Sequence, residues 1–362
     1  MAGELGEGLR DCGLKVEYVT AWWGSGGFRK RLGQRGFTTH VMRLGFISAT
    51  FTLSAIRMTL HQLLHLPGLL IQYALFLKSV RPLRVIHTNW HHALLLLPML
   101  KRNRDIYWSH EIIANKRRFR WLFGAIDKRV IGFVAVSEAV AAALREIGIA
   151  ANRIRVIHNG LRDPAGSVVL AAGRTTTRIG IVGQVGSWKG HDDLLEAFAI
   201  VAASHAQVQL HIFGQGTQDY EEHLRRRAAQ LGVTSKVIWH GFVPDQRVIY
   251  GSIDICAVPS RSEDPLPTSA IEASFFGLPV VASRRGGLPE IIDHDSTGLL
   301  FEAGNVKEMA LHLETLVADS ALANKMGRHA RIRSTQKFGR DRFVDDFLNV
   351  LNDPEVVHAN SW

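Results

Sequence analysis

Residues 259–290 read Pro-Ser-Arg-Ser-Glu-Asp-Pro-Leu-Pro-Thr-Ser-Ala-Ile-Glu-Ala-Ser-Phe-Phe-Gly-Leu-Pro-Val-Val-Ala-Ser-Arg-Arg-Gly-Gly-Leu-Pro-Glu. An apolar strand, Ile253 to Val258, runs into this loop, and a second strand, Pro279 to Ala282, leaves it. Between them lie two acids, Asp264 and Glu272, separated by seven residues. Thr268 and Ser269 open a short helix. Acids at the carboxyl edge of a parallel sheet, beside free helix N–H groups, hold hydroxyls and phosphate together. Ser269-Ala-Ile-Glu272 also fits a capping box, and Asp264 fits an ordinary turn before Pro265. A capping box accounts for neither Asp264 nor the Pro-Leu-Pro constraint.

Outward from this loop, short β-branched runs alternate with amphipathic stretches from residue 178 onward. Strands are predicted at Arg178–Gly183, Val208–Phe213, Lys236–His240, Ile253–Val258, Pro279–Ala282 and Gly298–Phe301. Such alternation argues for a parallel sheet covered on both faces. The first half repeats the theme at Lys15–Val19, Arg84–His87, Asp105–Trp108, Gly132–Val136 and Arg153–Ile157. Residues 46–80 are helical by composition, with Pro67 as a break or kink. The expected organisation is an N-terminal unit over 1–157, a connection over 158–177 and a C-terminal unit over 178–337. A last amphipathic helix over 338–352 is expected to pack back on the first unit.

The chain has 362 residues, 46% of them hydrophobic, enough for two cores. Its two cysteines, Cys12 and Cys256, build neither a disulfide framework nor a zinc spacing, so a reducing cytoplasm is expected. No secretory signal is read, and the apolar stretch Leu66 to Leu77 is too short to span a bilayer. Net charge is +10, unevenly spread: residues 1–157 hold 23 Lys and Arg against nine Asp and Glu, while the remainder is net −4. No acid occurs between Glu17 and Asp105, an interval rich in aromatic and basic side chains. That composition fits an anionic membrane surface, or a solvated basic face over an ordinary core. No nucleic-acid-binding motif is present.

The run Ile181-Val-Gly-Gln-Val-Gly-Ser-Trp-Lys-Gly-His is a strand, a glycine turn, a lysine and a helix start. Gly183 and Gly186 let backbone N–H groups approach an anion, and Lys189 adds a mobile charge. It is neither a P-loop nor a dinucleotide fingerprint. Asp293-His-Asp295 reads as a polar turn, and no metal is assigned to it. His110 lies at the carboxyl end of the strand Asp105–Trp108.

These strings, in number and order, resemble glycosyltransferase family 4, whose members are retaining enzymes. The resemblance includes Phe133-Val-Ala-Val-Ser-Glu-Ala-Val, Arg155-Val-Ile-His-Asn-Gly, Val182-Gly-Gln-Val-Gly-Ser-Trp-Lys-Gly-His, Phe213-Gly-Gln-Gly and the acid loop. It implies the GT-B fold: α/β, two Rossmann-like domains with parallel sheets facing across a cleft. It further implies transfer of a sugar from a UDP- or GDP-type donor to an acceptor hydroxyl, with retention and without a cofactor. Asp264 and Glu272 then stand in the family's Glu-x7-Glu positions, contacting donor sugar and ribose. Leu266, Pro267 and Thr268 cradle the sugar and diphosphate, with Gly183, Gln184 and Gly214 beside them. Lys189 neutralises the diphosphate, and His110 sits by the reacting sugar. The acceptor expected is a saccharide or lipid-linked envelope precursor, at the inner face of the cell membrane. Three departures stand out. Asp264 is shorter than the family's glutamate, Gln184 replaces an arginine, and Met1 falls inside the first helix, so that the domain's first strand is missing. A GT-B epimerase and a catalytically inactive sugar-nucleotide or membrane-binding protein are the alternatives.

Overall fold

The computed structural model describes residues 1–23, 26–46, 52–164, 166 and 175–352. Twelve strands are present among them, and every pairing is parallel. They divide between two compact units, Met1–Ile157 with Phe343–Trp362, and His158–Arg342. Of the expected connection over 158–177, residue 165 and residues 167–174 lie outside the described residues.

The first unit holds β1 (Glu17–Ala21), β2 (Thr38–Met42), β3 (Val85–His87), β4 (Asp105–Ser109), β5 (Phe133–Ala135) and β6 (Ile154–Val156). β1 pairs with β2, and β3-β4-β5-β6 form a second sheet. No ladder joins the two sheets among the described residues, and the first element of the chain is the helix Ala2–Asp11. β2 was not legible in the sequence: Thr-Thr-His-Val-Met places only Met42 in the core, so it lacks the apolar signature of a central strand. β4 has all five residues buried. Asp105 at its start is fully buried and accepts from His87 at 2.7 Å, Arg104 at 2.8 Å and the Lys101 backbone N–H at 2.7 Å. That set of donors offsets the desolvation of a buried carboxylate.

The helical stretch read over 46–80 is two helices, Leu53–Leu64 and Leu66–Val80; residues 47–51 lie outside the described residues. The break falls at His65 rather than at Pro67, which sits in the first turn of the second helix. Proline is tolerated there because its missing N–H would have no helical partner anyway. The last helix, Arg340–Asn352, buries Phe343 and Phe347 against Trp108 of β4, with ring centroids 5.8 and 4.8 Å apart.

The second unit holds β7 (Thr177–Val182), β8 (Val208–Phe213), β9 (Val237–Gly241), β10 (Ile255–Val258), β11 (Val280–Ser283) and β12 (Gly298–Phe301). Their order in the sheet is β12-β11-β10-β7-β8-β9. The chain therefore builds outward from β7 to β9, returns to the other side of β7 with β10, and proceeds to β12. Helices cover the sheet, with Leu195 and Phe198 of His191–Ser204 and Leu313 of Val306–Ala318 in one core with Leu210 and Val281. The reversal of strand order between β7 and β10 leaves a crevice at their carboxyl ends, where open α/β sheets bind ligands.

Candidate functional site

Two loops meet above that reversal. The loop after β7 runs from Gly183 to Gly190, and the loop after β10 from Pro259 to Pro267. The Arg261 backbone N–H donates to the Trp188 carbonyl at 2.9 Å, tying one loop to the other. A side chain at Gly190 would put its Cβ 1.9 Å from the Pro259 carbonyl oxygen, and φ there is +76°. Only glycine fits such an approach. The result is a bridge between the two loops: Lys189 Nζ donates to Asp264 Oδ2 at 2.5 Å. Both side chains remain partly open to solvent, 27% and 17% exposed.

The loop after β8 closes the same edge. Gly214 has φ +138°, and a Cβ there would fall 1.7 Å from the Gly183 carbonyl oxygen. The Gly183 N–H donates to the Phe213 carbonyl at 3.0 Å, and Val185 N–H to Gln215 at 3.0 Å. Gln184 is exposed on the rim of this turn. From β11 comes the Gly286-Gly287 pair. A Cβ on Gly286 would lie 2.1 Å from the Asp264 carbonyl oxygen, and the Gly287 N–H donates to that oxygen at 2.8 Å. The glycine pair thus holds the Asp264 backbone in place, a role the sequence string did not disclose.

The helix Thr268–Phe275 begins after Pro267 and has no side-chain cap. The capping box that Ser269 and Glu272 could have formed is therefore absent. Glu272 accepts instead from the Tyr250 hydroxyl at 2.7 Å, with further side-chain hydrogen bonds to Thr268 and Gln246. Burial raises its pKa above the usual carboxylate range, and these hydrogen bonds pull the other way. Tyr250 and Gln246 were missed in the sequence; a lone Tyr on a six-residue helix carries no signal there. Leu266 and Pro267 are buried, and Thr268 is half-buried at the helix start. The helix His191–Ser204 likewise starts at Gly190 without a side-chain cap. Uncapped N-terminal N–H groups and a lysine at one sheet edge form an anion-receiving surface.

In the first unit, His110 follows directly on β4 and rests half-buried on Trp108, ring centroids 4.2 Å apart. Burial pushes its pKa down to about 4, so it is neutral near pH 7. Residues that follow β1, β2 and β3 form an aromatic cluster, in which Trp23 and Phe46 are legible in the sequence only as part of a basic, aromatic interval. Trp23 stands 4.8 Å from Phe46, and Phe46 4.7 Å from His91. Glu111, with its pKa raised by burial, hydrogen-bonds the Trp90 side chain. Asp293 and Asp295 form a turn: the Asp293 carbonyl accepts from Ser296 and Thr297 N–H groups, and His294 Nδ1 accepts from Leu300.

Family models match both parts of the chain, glycosyltransferase family 4 over residues 1–163 and glycosyl transferases group 1 over residues 169–333. The chain belongs to glycosyltransferase family 4. An uncharacterised glycosyltransferase of Haemophilus influenzae is 32% identical over 174 residues, 47% of this chain and 47% of that protein. A lipopolysaccharide core biosynthesis glycosyltransferase of Rhizobium meliloti is 28% identical over 184 residues, 51% of this chain and 49% of that protein. The chain thus spans about half the length of the curated relatives it matches. Among solved structures, the Anabaena protein HepE in complex with UDP superposes with a TM-score of 0.79 at 19% identity, covering 97% of this chain and 96% of that one. The fold of this family 4 member is GT-B, with parallel sheets in two α/β units.

Proposed function

We propose that this family 4 protein transfers a hexose from a nucleotide-diphosphate donor to an acceptor hydroxyl, with retained anomeric configuration. The observation that carries the reading is the Lys189–Asp264 bridge, placed over the reversal point between β7 and β10. Departure of a diphosphate develops negative charge, and electrostatic groups already in position are usually the largest catalytic contribution. Lys189 and the uncapped helix starts at Gly190 and Thr268 receive that charge. Asp264, released from Lys189 when the diphosphate takes the lysine, accepts from hydroxyls of the donor sugar. Glu272, oriented by Tyr250, accepts from the ribose. Gly183, Gln184, Gly214, Leu266, Pro267 and Thr268 line the same donor pocket. The bond from the anomeric carbon to the diphosphate breaks as the acceptor oxygen bonds to that carbon, and the acceptor proton leaves with the diphosphate. His110, neutral at this pH, is assigned as a hydrogen-bond partner of the reacting sugar.

The acceptor reading is a saccharide or a lipid-linked saccharide of the cell envelope. Trp23, Phe46 and His91 offer ring faces for the C–H edges of a sugar, and Glu111 an acceptor for its hydroxyls. The Rhizobium relative's role in lipopolysaccharide and the UDP held by HepE support envelope chemistry and a UDP-type donor. The basic first half supports work at the inner face of the cell membrane. A thermal-shift screen of UDP-, GDP- and ADP-sugars tests the donor half of this reading, because a bound donor stabilises the fold by mass action. One sugar nucleotide is expected to raise the midpoint and then to yield glycosylated acceptor with retained configuration. A chain that no sugar nucleotide stabilises, or that releases no nucleoside diphosphate, is not this transferase.

A further inference from the structure

The helix Leu53–Leu64 has seven apolar residues among its twelve and yet is almost wholly exposed: among its described side chains only Ala55 and Gln62 are buried. Leu53 and Leu64 are 82% and 81% exposed, and Met58 and Leu60 are exposed with them. The next helix, Leu66–Val80, turns Leu69 and Tyr73 into the core and leaves Ile71 and Leu75 each 62% exposed. The apolar side of an amphipathic helix is ordinarily covered by a core, a partner or lipid. A large exposed apolar patch of this kind marks an interaction site.

We propose that this helix pair is the element that inserts into the interface of an anionic lipid bilayer. The inference rests on the membrane contact proposed above and assigns it to one place and one mode, insertion of apolar side chains rather than charge attraction alone. Charge selects the occupant. Arg57, His61, Lys78 and Arg81 lie on or beside the pair, Arg43 contacts His65 at 3.2 Å, and no acid occurs between Glu17 and Asp105. Docking two copies of this face would set like charges against one another, whereas an anionic lipid surface complements them. The dimensions agree with lying in the interface. No single helix among the described residues is long and apolar enough to cross a membrane, and the pair that together has the length and composition is bent by 53°. Amphipathic helices with basic flanks lie in the headgroup plane with their apolar side chains below it. Beside the second helix, the exposed edge of β2 adds an open hollow whose wall includes Val41, Leu75, Lys78 and His40, the last paired with Glu17 at 2.6 Å, so that apolar groups and a lysine there complement an acyl chain and a phosphate.

The test is sedimentation of the full chain with vesicles of phosphatidylglycerol and phosphatidylethanolamine, and with phosphatidylcholine vesicles, at low and high salt. The chain is expected to bind the anionic vesicles and to retain part of that binding in high salt. The triple variant Leu53→Gln, Leu64→Gln, Ile71→Gln is expected to lose about tenfold in affinity for each side chain replaced. Its thermal midpoint should match the parent, since these side chains contact solvent. Binding that high salt abolishes completely overturns insertion, as does a triple variant that binds like the parent. A parent that ignores vesicles but dimerises, with the triple variant monomeric, also overturns it and names a second copy as the occupant. Nucleoside diphosphate release, followed alongside, separates the two readings. A chain that binds vesicles as described but never turns over a sugar nucleotide keeps this docking surface and loses the transferase assignment.

Discussion

Lys189 and Asp264, 75 positions apart in sequence, share a 2.5 Å ion pair above the point where the sheet of the second unit reverses its strand order. Each is held by a glycine contact, Gly190 against Pro259 and Gly286 against the Asp264 backbone. In the pair each charge is the other's partner. In the donor reading proposed above, a diphosphate takes the lysine and a sugar hydroxyl takes the carboxylate. Lys189→Met is accordingly expected to lower turnover of the donor by about 10²–10³-fold, the usual effect of deleting one preorganised electrostatic group. Initial-rate measurements check this, and circular dichroism checks that the fold remains. Activity within a few-fold of the parent would remove Lys189 from the mechanism.

Glu272 owes its orientation to the Tyr250 hydroxyl 2.7 Å away. Tyr250→Phe removes that donor while keeping the ring that stacks on Phe276 at 5.2 Å. The expected outcome is a KM for the sugar nucleotide raised roughly tenfold with kcat little changed, in line with losing one hydrogen bond to a charged group. The Glu272 carboxyl should also titrate higher, since a hydrogen bond that favours its charged form is gone. Equal losses in KM and kcat would place Tyr250 in another role.

Gly214→Ala tests the edge of the site rather than its chemistry. The added Cβ would meet the Gly183 carbonyl oxygen, and φ of +138° is hostile to alanine. Destabilisation of about 2–4 kcal/mol is expected from strain and clash together. Urea unfolding followed by tryptophan fluorescence reads it out. An unchanged midpoint would show that the two loops do not pack as described.

Phe347→Ala should open a cavity against Trp108, because Phe347 is fully buried there. A loss of about 3–5 kcal/mol is expected. It should appear in the first unit, as faster amide exchange in β4 and β5, while β7 and β8 keep their protection. Uniform loss across both units would contradict the assignment of this helix to the first.

Acid should loosen the fold through its histidines. Burial lowers His92, His110, His191 and His211 from 6.5 to about 4. Between those values the unfolded chain binds more protons than the folded one, so stability rises with pH from about 4 to 6.5 and gains nothing further from these groups above it. For His191 burial outweighs the bond its Nδ1–H donates to the Gly186 carbonyl at 3.2 Å, which by itself favours the charged ring, and the first turn of a helix is a place where a cation is unwelcome. Thermal melts across this range check the slope. A midpoint that does not fall on acidification would show these imidazoles to be charged or exposed.

The second unit was nearly all legible in the sequence, because its strands are short, doubly buried and β-branched, as at Val280-Val-Ala. Val208–Phe213 and Gly298–Phe301 match residue for residue. The first unit was less so. β2 carries Thr38, Thr39 and His40, polar residues on an exposed edge, and only pairing with β1 makes them a strand. At the site, motif residues declared themselves by type and spacing, but their supports did not. Gly286, Gly287, Tyr250 and Gln246 act through contacts made by residues distant in the chain, which no local pattern encodes. The helix break at His65 was misplaced for a related reason: Pro67 looked like a terminator and proved to be a starter.

Residues Phe343 and Phe347 complete the core around Trp108, yet they emerge from the ribosome after the whole span His158–Arg342. Of these two units, the one whose strands are translated earlier is therefore completed after the other. Until residues 343–347 are synthesised, Trp108 has no lid, and nascent β4 presents apolar surface to the cell while the later unit is already able to fold. Vectorial synthesis thus reverses the order of maturation along this chain, and a polypeptide interrupted between Arg342 and Phe343 carries a finished second unit tethered to an unfinished first.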